Sequence, residues 1–151
     1  TTRNMIADAK WSLLGWLDEG VNVYADQSYK LENTSGTVYT GNKTSWTGKI
    51  ALPYPSDYAY SAYLGKCTST LGEYSNCSSW MKTMFNSKTI ALLTPIVSSS
   101  FVFHVAGGCL DMVEPYAALD SEIFPTFYLN ANVSIKTGSG TLNSPYQLSV
   151  G

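Results

Sequence analysis

His104 is the only histidine in the chain, and an imidazole titrating near neutral pH is the natural place to seek a general base. On paper, Ser98, His104 and Asp111 supply the residue types of a nucleophile, a base and its orienting acid. The combination carries little weight, because a chain so rich in Ser and Thr always offers a hydroxyl near its histidine. The Gly-x-Ser-x-Gly turn that presents a hydrolase serine does not occur. After Asp57 the carboxylates fall mainly at Asp111, Glu114, Asp120 and Glu122. Two of them could flank a sugar as acid and nucleophile, but that chemistry depends on a separation which sequence does not set. A solvated acidic rim is the plainer reading. No Asp-rich calcium loop, phosphate-cradling glycine motif or dinucleotide fingerprint is present. The expectation is a protein without catalytic residues, metal or cofactor.

The cysteines are Cys67, Cys77 and Cys109. Cys67 and Cys77 are flanked by Ser, Thr, Asn and Gly, as in a surface loop, and a bridge between them would contribute about 2–3 kcal/mol. Two free thiols are the alternative, and Cys109 is left unpaired as a small buried hydrophobe or an exposed thiol. A metal site would need more ligands at tighter spacing. Asn33, Asn42, Asn76 and Asn132 each open an Asn-x-Ser/Thr sequon, which matters only in a glycosylating secretory host.

What the chain does supply is recognition chemistry. It holds 11 Tyr and 4 Trp, while charged residues make up only 13%. Rigid aromatic side chains give contact area at low entropic cost, and Ser, Gly and Asn adapt their hydrogen bonds around them. A β-rich extracellular domain would show the same composition whatever its role. With a net charge of −2 and no Lys/Arg cluster, nothing provides the counterion release on which nucleic-acid affinity rests, nor an attraction to anionic membranes. No apolar run reaches the roughly 20 residues needed to span a bilayer. No leader is visible in the polar opening Thr1-Thr2-Arg3-Asn4, and any targeting or anchoring segment would lie upstream.

The 151 residues suit a single domain, with neither repeat nor linker. Met5, Ile6, Ala9 and Leu13 share a helical face and predict a helix up to about residue 14, although Trp11 to Trp16 would also suit the start of a strand. Between Gly20 and Gly48, short β-prone pieces (Val21 to Tyr24 and Val38-Tyr39) alternate with turn residues. Lys49 to Leu52 forms a small strand cut off by Pro53. Pro55, with Ser56 or Asp57 as cap, predicts a helix over about 56–63. Trp80, Met81 and Met84 predict another over 78–85, sharing one face. Strands follow at 90–93, 101–105 and, more weakly, 110–113. The densest β signal runs from Phe124 to Ile135, broken by Asn130 and Asn132, and a turn closes at Gly138 to Thr141. Helices early and strands late, without βαβ alternation, predict an α+β fold with an antiparallel sheet.

Several segments in fixed order resemble one family: Ala9-Lys-Trp11, Val38-Tyr-Thr-Gly41, Thr44-Ser-Trp-Thr-Gly-Lys-Ile50, Tyr54-Pro-Ser-Asp-Tyr-Ala-Tyr60, Cys67, Cys77 and Trp80. Leu92-Leu-Thr-Pro95, Val102-Phe-x-Val105 with Gly108, Pro125-x-x-Tyr-Leu129, Asn132-Val-x-Ile135, Gly138-x-Gly-Thr141 and Pro145-Tyr146 continue the series. Together they resemble bacterial surface domains attached to pilin-like or membrane-anchored N-termini in gut Firmicutes. That group is similar to the C-type lectin-like fold of formylglycine-generating enzymes and of variable proteins from diversity-generating retroelements.

The resemblance implies two short helices packed on a twisted antiparallel sheet, and an extracellular adhesin-like domain whose ligand is a protein or a glycan. It places the binding face over about 96–124, on Ile96, Ser98, Ser99, Phe101, His104, Cys109, Asp111, Met112, Glu114 and Tyr116. The residue types in that span agree, since aromatic anchors ringed by polar groups concentrate interface energy. A structural subunit or tip domain of a pilus or phage tail is the alternative function. The chain departs from the family at Glu122-Ile-Phe124-Pro125, where members read Gly-Val-Arg-Pro. Glu114-Pro115-Tyr116 lacks the Asn or Asp of a calcium-dependent sugar site. Cys109 lacks the partner that formylglycine-generating chemistry needs.

Overall fold

The computed structural model describes residues 2–16, 21–38, 40–63, 67–85, 88–96, 102–113, 121–141 and 143–151. The fold is α+β, and every pairing between its named strands is antiparallel. Among the described residues the strands divide into three small sheets instead of the single sheet expected. β1 (Ala9–Ser12) pairs with β2 (Ser45–Gly48), and β3 (Ile90–Pro95), β4 (Val102–Ala106) and β5 (Cys109–Val113) lie in that order. β6 (Val133–Thr137) pairs with β7 (Gln147–Val150). The described residues include three short α-helices, α1 (Ala25–Lys30), α2 (Pro55–Tyr60) and α3 (Trp80–Phe85), which pack among them.

The first correction concerns the N-terminus. The helix expected up to residue 14 is only a 3-10 turn over Thr2–Met5, after which the chain becomes β1. The register Trp11↔Trp46 explains why the helical spacing lost. Trp11 is buried, its Nε1 donates to the Gly48 carbonyl at 2.9 Å, and its ring stacks on Tyr128 at 5.2 Å. A long-range partner with an indole to cover outweighs a weak local periodicity.

The second correction is α1. Val21 to Tyr24 is not a strand; it leads into a helix whose first turn is closed by the Tyr24 N–H donating to Gln27 Oε1 at 2.9 Å. A glutamine three residues past the cap is a helix-start signal, here masked by the apolar residues before it. The helix runs on into a π-helical turn over Leu31–Ser35. At Gly36 the backbone turns extended and the helix ends, and a Cβ there would collide with the Leu31 and Gly15 carbonyl oxygens.

α2 is close to expectation, with Pro55 in its first turn and Asp57 accepting from the Tyr54 N–H at 2.9 Å. α3 lies where expected but buries another face. Met81 and Phe85, four residues apart, turn inward, while Trp80 and Met84 face outward. β4 and β5 are joined at Gly107-Gly108, both at positive φ (59° and 84°), which a tight hairpin requires. The stretch from Phe124 to Ile135 is mostly not a strand. Thr126 and Leu129 make isolated bridges to Ala51 and Ile6, and regular pairing begins only at Val133. Of the small strand expected at 49–52, the Ala51 bridge is what exists.

The core joins the helices to the three-stranded sheet. Trp16 meets Phe103 at 4.3 Å between ring centroids, and Tyr58 lies between Tyr74 at 6.0 Å and Phe85 at 6.2 Å. The buried Tyr58 hydroxyl donates to the Gly108 carbonyl at 2.7 Å, which ties α2 to the hairpin.

Candidate binding site

Cys67 and Cys77 form a disulfide, with Cα atoms 5.5 Å apart. The loop it closes is held from the other side, where the Leu71 N–H donates to Val23 O at 2.9 Å and the Gly72 N–H to Val21 O at 3.0 Å. Just past α2, Ala62 bridges Ser79 in antiparallel fashion, with Trp80 N–H donating to Ser61 O at 3.3 Å. Ser61 and Ser79 hydroxyls bond to each other beneath this bridge. Three anchored pieces, the disulfide loop, the end of α2 and the start of α3, thus form one cross-linked corner.

Three open depressions follow one another over that corner. The first, of about 770 Å³, is lined by Tyr63, Ser75, Asn76, Ser78 and Trp80. The second, of about 370 Å³, shares Ser61 and Trp80 with it and reaches Asp57, Tyr60 and Thr126. The third, of about 400 Å³, shares Tyr60 with the second and extends to Tyr24, Asp26, Thr68 and Ser69. Tyr63 and Trp80 are 67% and 63% exposed, and Tyr60 and Tyr24 are also open. Tyr60 meets Tyr29 of α1 edge to face at 6.2 Å. The helix geometry causes this exposure. α2 buries Tyr58 and Ala59, which swings Tyr60 outward, and α3 buries Met81 and Phe85, which does the same for Trp80.

Under α1 and α2 lies an unusual carboxyl. Glu32, in the π-helical turn, is fully buried. Its Oε1 accepts from Ser28 Oγ at 2.9 Å and from the Ser56 N–H in the first turn of α2 at 3.1 Å. Oε2 has no hydrogen-bond partner among the described residues. Burial pushes the Glu32 carboxyl up to about 7, against the pull of the Ser56 and Ser28 hydrogen bonds, and nearby Asp57 adds to the rise. Burial also raises Asp57, opposed by the Tyr54 N–H.

The face expected over 96–124 is only partly described. Ile96, at 4% exposure, belongs to the core, and His104, at 8%, is buried as well, so neither presents itself as expected. His104 sits in the central strand between Ala91 and Asp111. Neither ring nitrogen has a hydrogen-bond partner among the described residues, and Nε2 lies 3.8 Å from Asp111 Oδ2, too far for a hydrogen bond. Met112 packs partly against the core, Cys109 is a half-buried free thiol, and Asp111 is exposed. Ser98, Ser99, Phe101, Glu114 and Tyr116 lie outside the described residues. Among the described residues no cluster of three or more His, Cys, Asp or Glu could hold a metal ion.

Sequence reasoning missed Tyr24, Tyr60, Tyr63 and Trp80 as site residues. The available signal was the excess of Tyr around Pro55 and the disulfide loop, but side-chain direction depends on which face each helix buries. No family model matches the chain, and neither a curated protein nor a solved structure matches it.

Proposed function

We propose that this chain is a non-catalytic binding domain of a secreted or cell-surface protein, with its ligand on the aromatic path from Tyr24 through Tyr60 and Trp80 to Tyr63. One observation carries the reading: consecutive open depressions separated by outward aromatics, on a corner fixed by a disulfide. Large exposed aromatics mark interaction sites, and a preformed corner spares the ligand the cost of ordering it. The disulfide also supports an oxidising, extracellular setting. Among the described residues no helix is long and apolar enough to cross a membrane. The ordered motifs support a C-type lectin-like domain of bacterial surface proteins, and the α+β class is compatible with it. The 96–124 face ranks second, because Ile96 and His104 turn inward.

The test is a combined glycan and protein array probed with the wild type, Y60A/W80A and F101A/M112A/Y116A. Loss of the captured ligand in Y60A/W80A alone supports the path. Loss only in the triple variant moves the site to 96–124 and ends this reading.

A second reading, a subunit or tip domain of a pilus-like or phage-tail assembly, is favoured by β6 and β7. They form a two-stranded ribbon with Ile135, Tyr146 and Val150 exposed. Such a ribbon is marginal in water without further packing. Sedimentation showing a monomer at the highest soluble concentration rejects it.

A further inference from the structure

Resting on the aromatic path as the binding face, we propose that its ligand is a neutral, linear oligosaccharide, bound without calcium by stacking of sugar rings on Trp80, Tyr60 and Tyr63. A pyranose ring offers an apolar C–H face and a rim of hydroxyls that each donate and accept. The path matches both halves. Its walls are exposed aromatic faces, and between them the first depression places the hydroxyls of Ser75 and Ser78 and the amide of Asn76, all exposed. Hydroxyls and amides donate and accept, as the sugar rim does.

Charge narrows the class further. Lys82, the cation of the first depression, donates one hydrogen bond to the Ser75 carbonyl. Asp57 in the second is occupied with the Tyr54 N–H, and Asp26 lies in the third. Among the described lining residues an anionic ligand therefore meets two carboxylates, Asp26 and Asp57, and one cation, Lys82, a balance that favours a neutral ligand over acidic glycans, phosphopeptides and nucleic acids. The repetition narrows it again, because depressions adjoining at Trp80 and at Tyr60 suit a chain of similar units better than one compact molecule. A polyproline segment also docks between aromatic ridges, but apart from its chain end it offers only carbonyl acceptors. A hydroxyl-lined groove is better matched to a partner that also donates.

The experiment uses the full chain in native gels containing a neutral soluble polysaccharide (a β-1,4-glucan, a galactomannan or an arabinoxylan), with EDTA present throughout. Decaproline titration runs in parallel. The variants are W80A, Y60A and, as a control away from the path, W46A, whose indole is exposed on β2. Retardation by at least one polysaccharide is expected, weakened tenfold or more by W80A and several-fold by Y60A, and unchanged by W46A. Circular dichroism establishes that each variant is folded. Retardation by none of the three overturns the proposal, as does retardation abolished by EDTA. Binding of decaproline alone, lost in W80A, overturns the ligand class while leaving the binding face standing. Polysaccharide binding indifferent to W80A and Y60A removes the face itself.

Discussion

The helical corner and the three-stranded sheet draw on the same residue types and put them to opposite uses. On the sheet side Phe103, Ile96 and even His104 are turned inward. On the helical side Tyr60, Tyr63 and Trp80 stay in water above a buried layer of Tyr58, Met81 and Phe85. Aromatic residues therefore serve packing in one region and stay on the surface, open to the ligand proposed above, in the other. The sorting is done by helix faces and strand register, and composition is silent on it.

The largest effect should separate the two regions by stability. Phe103→Ala removes a ring packed against Trp16 and should cost about 3–5 kcal/mol. Trp80→Ala should cost under about 0.5 kcal/mol, as an exposed substitution. Chemical-denaturation midpoints measure both, and equal losses would erase the contrast.

Next comes Glu32, which underlies the helical corner. Its carboxyl stands at about 7 in the folded chain against an ordinary 4.5, so the folded state keeps that proton to higher pH. Its contribution is therefore fully present below pH 4.5, falls as pH rises from 4.5 to 7, and is flat above. At about 1.4 kcal/mol per pH unit, the loss approaches ~3 kcal/mol. Glu32→Gln keeps an acceptor for Ser28 and Ser56 and cannot ionise. It should raise stability at pH 8 and flatten the profile between pH 5 and 7, as read by thermal melts across pH. An unchanged profile would show that Glu32 is not the group responsible.

Replacing both bridged cysteines, as C67S/C77S, should cost about 2–3 kcal/mol and loosen the loop bearing Ser75 and Asn76. Hydrogen exchange should report faster opening at 67–77 and little change in β4 and β5. Uniform acceleration would mean that the two regions open together.

The smallest effect tests the sheet side. His104 buries two ring nitrogens that find no partner among the described residues, so His104→Leu should be neutral or stabilise by about 1 kcal/mol. A clear destabilisation would reveal a polar role for the imidazole.

The sequence by itself determined what adjacent residues encode. Pro55 with Asp57 specifies the start of α2, Gly107-Gly108 the hairpin between β4 and β5, and Cys67 with Cys77 a loop short enough to close. The α+β class followed from such local signals. Tertiary structure decided what depends on distant partners. Ala9 to Ser12 became a strand because Ser45 to Gly48 lies beside it, and Glu32 became a raised carboxyl because α2 covers it. Trp80 became a surface group while its neighbour Met81 became core. Burial belongs to neighbours in space, and a helix of six residues presents apolar side chains to more than one side, so only its packing chooses the face that water keeps.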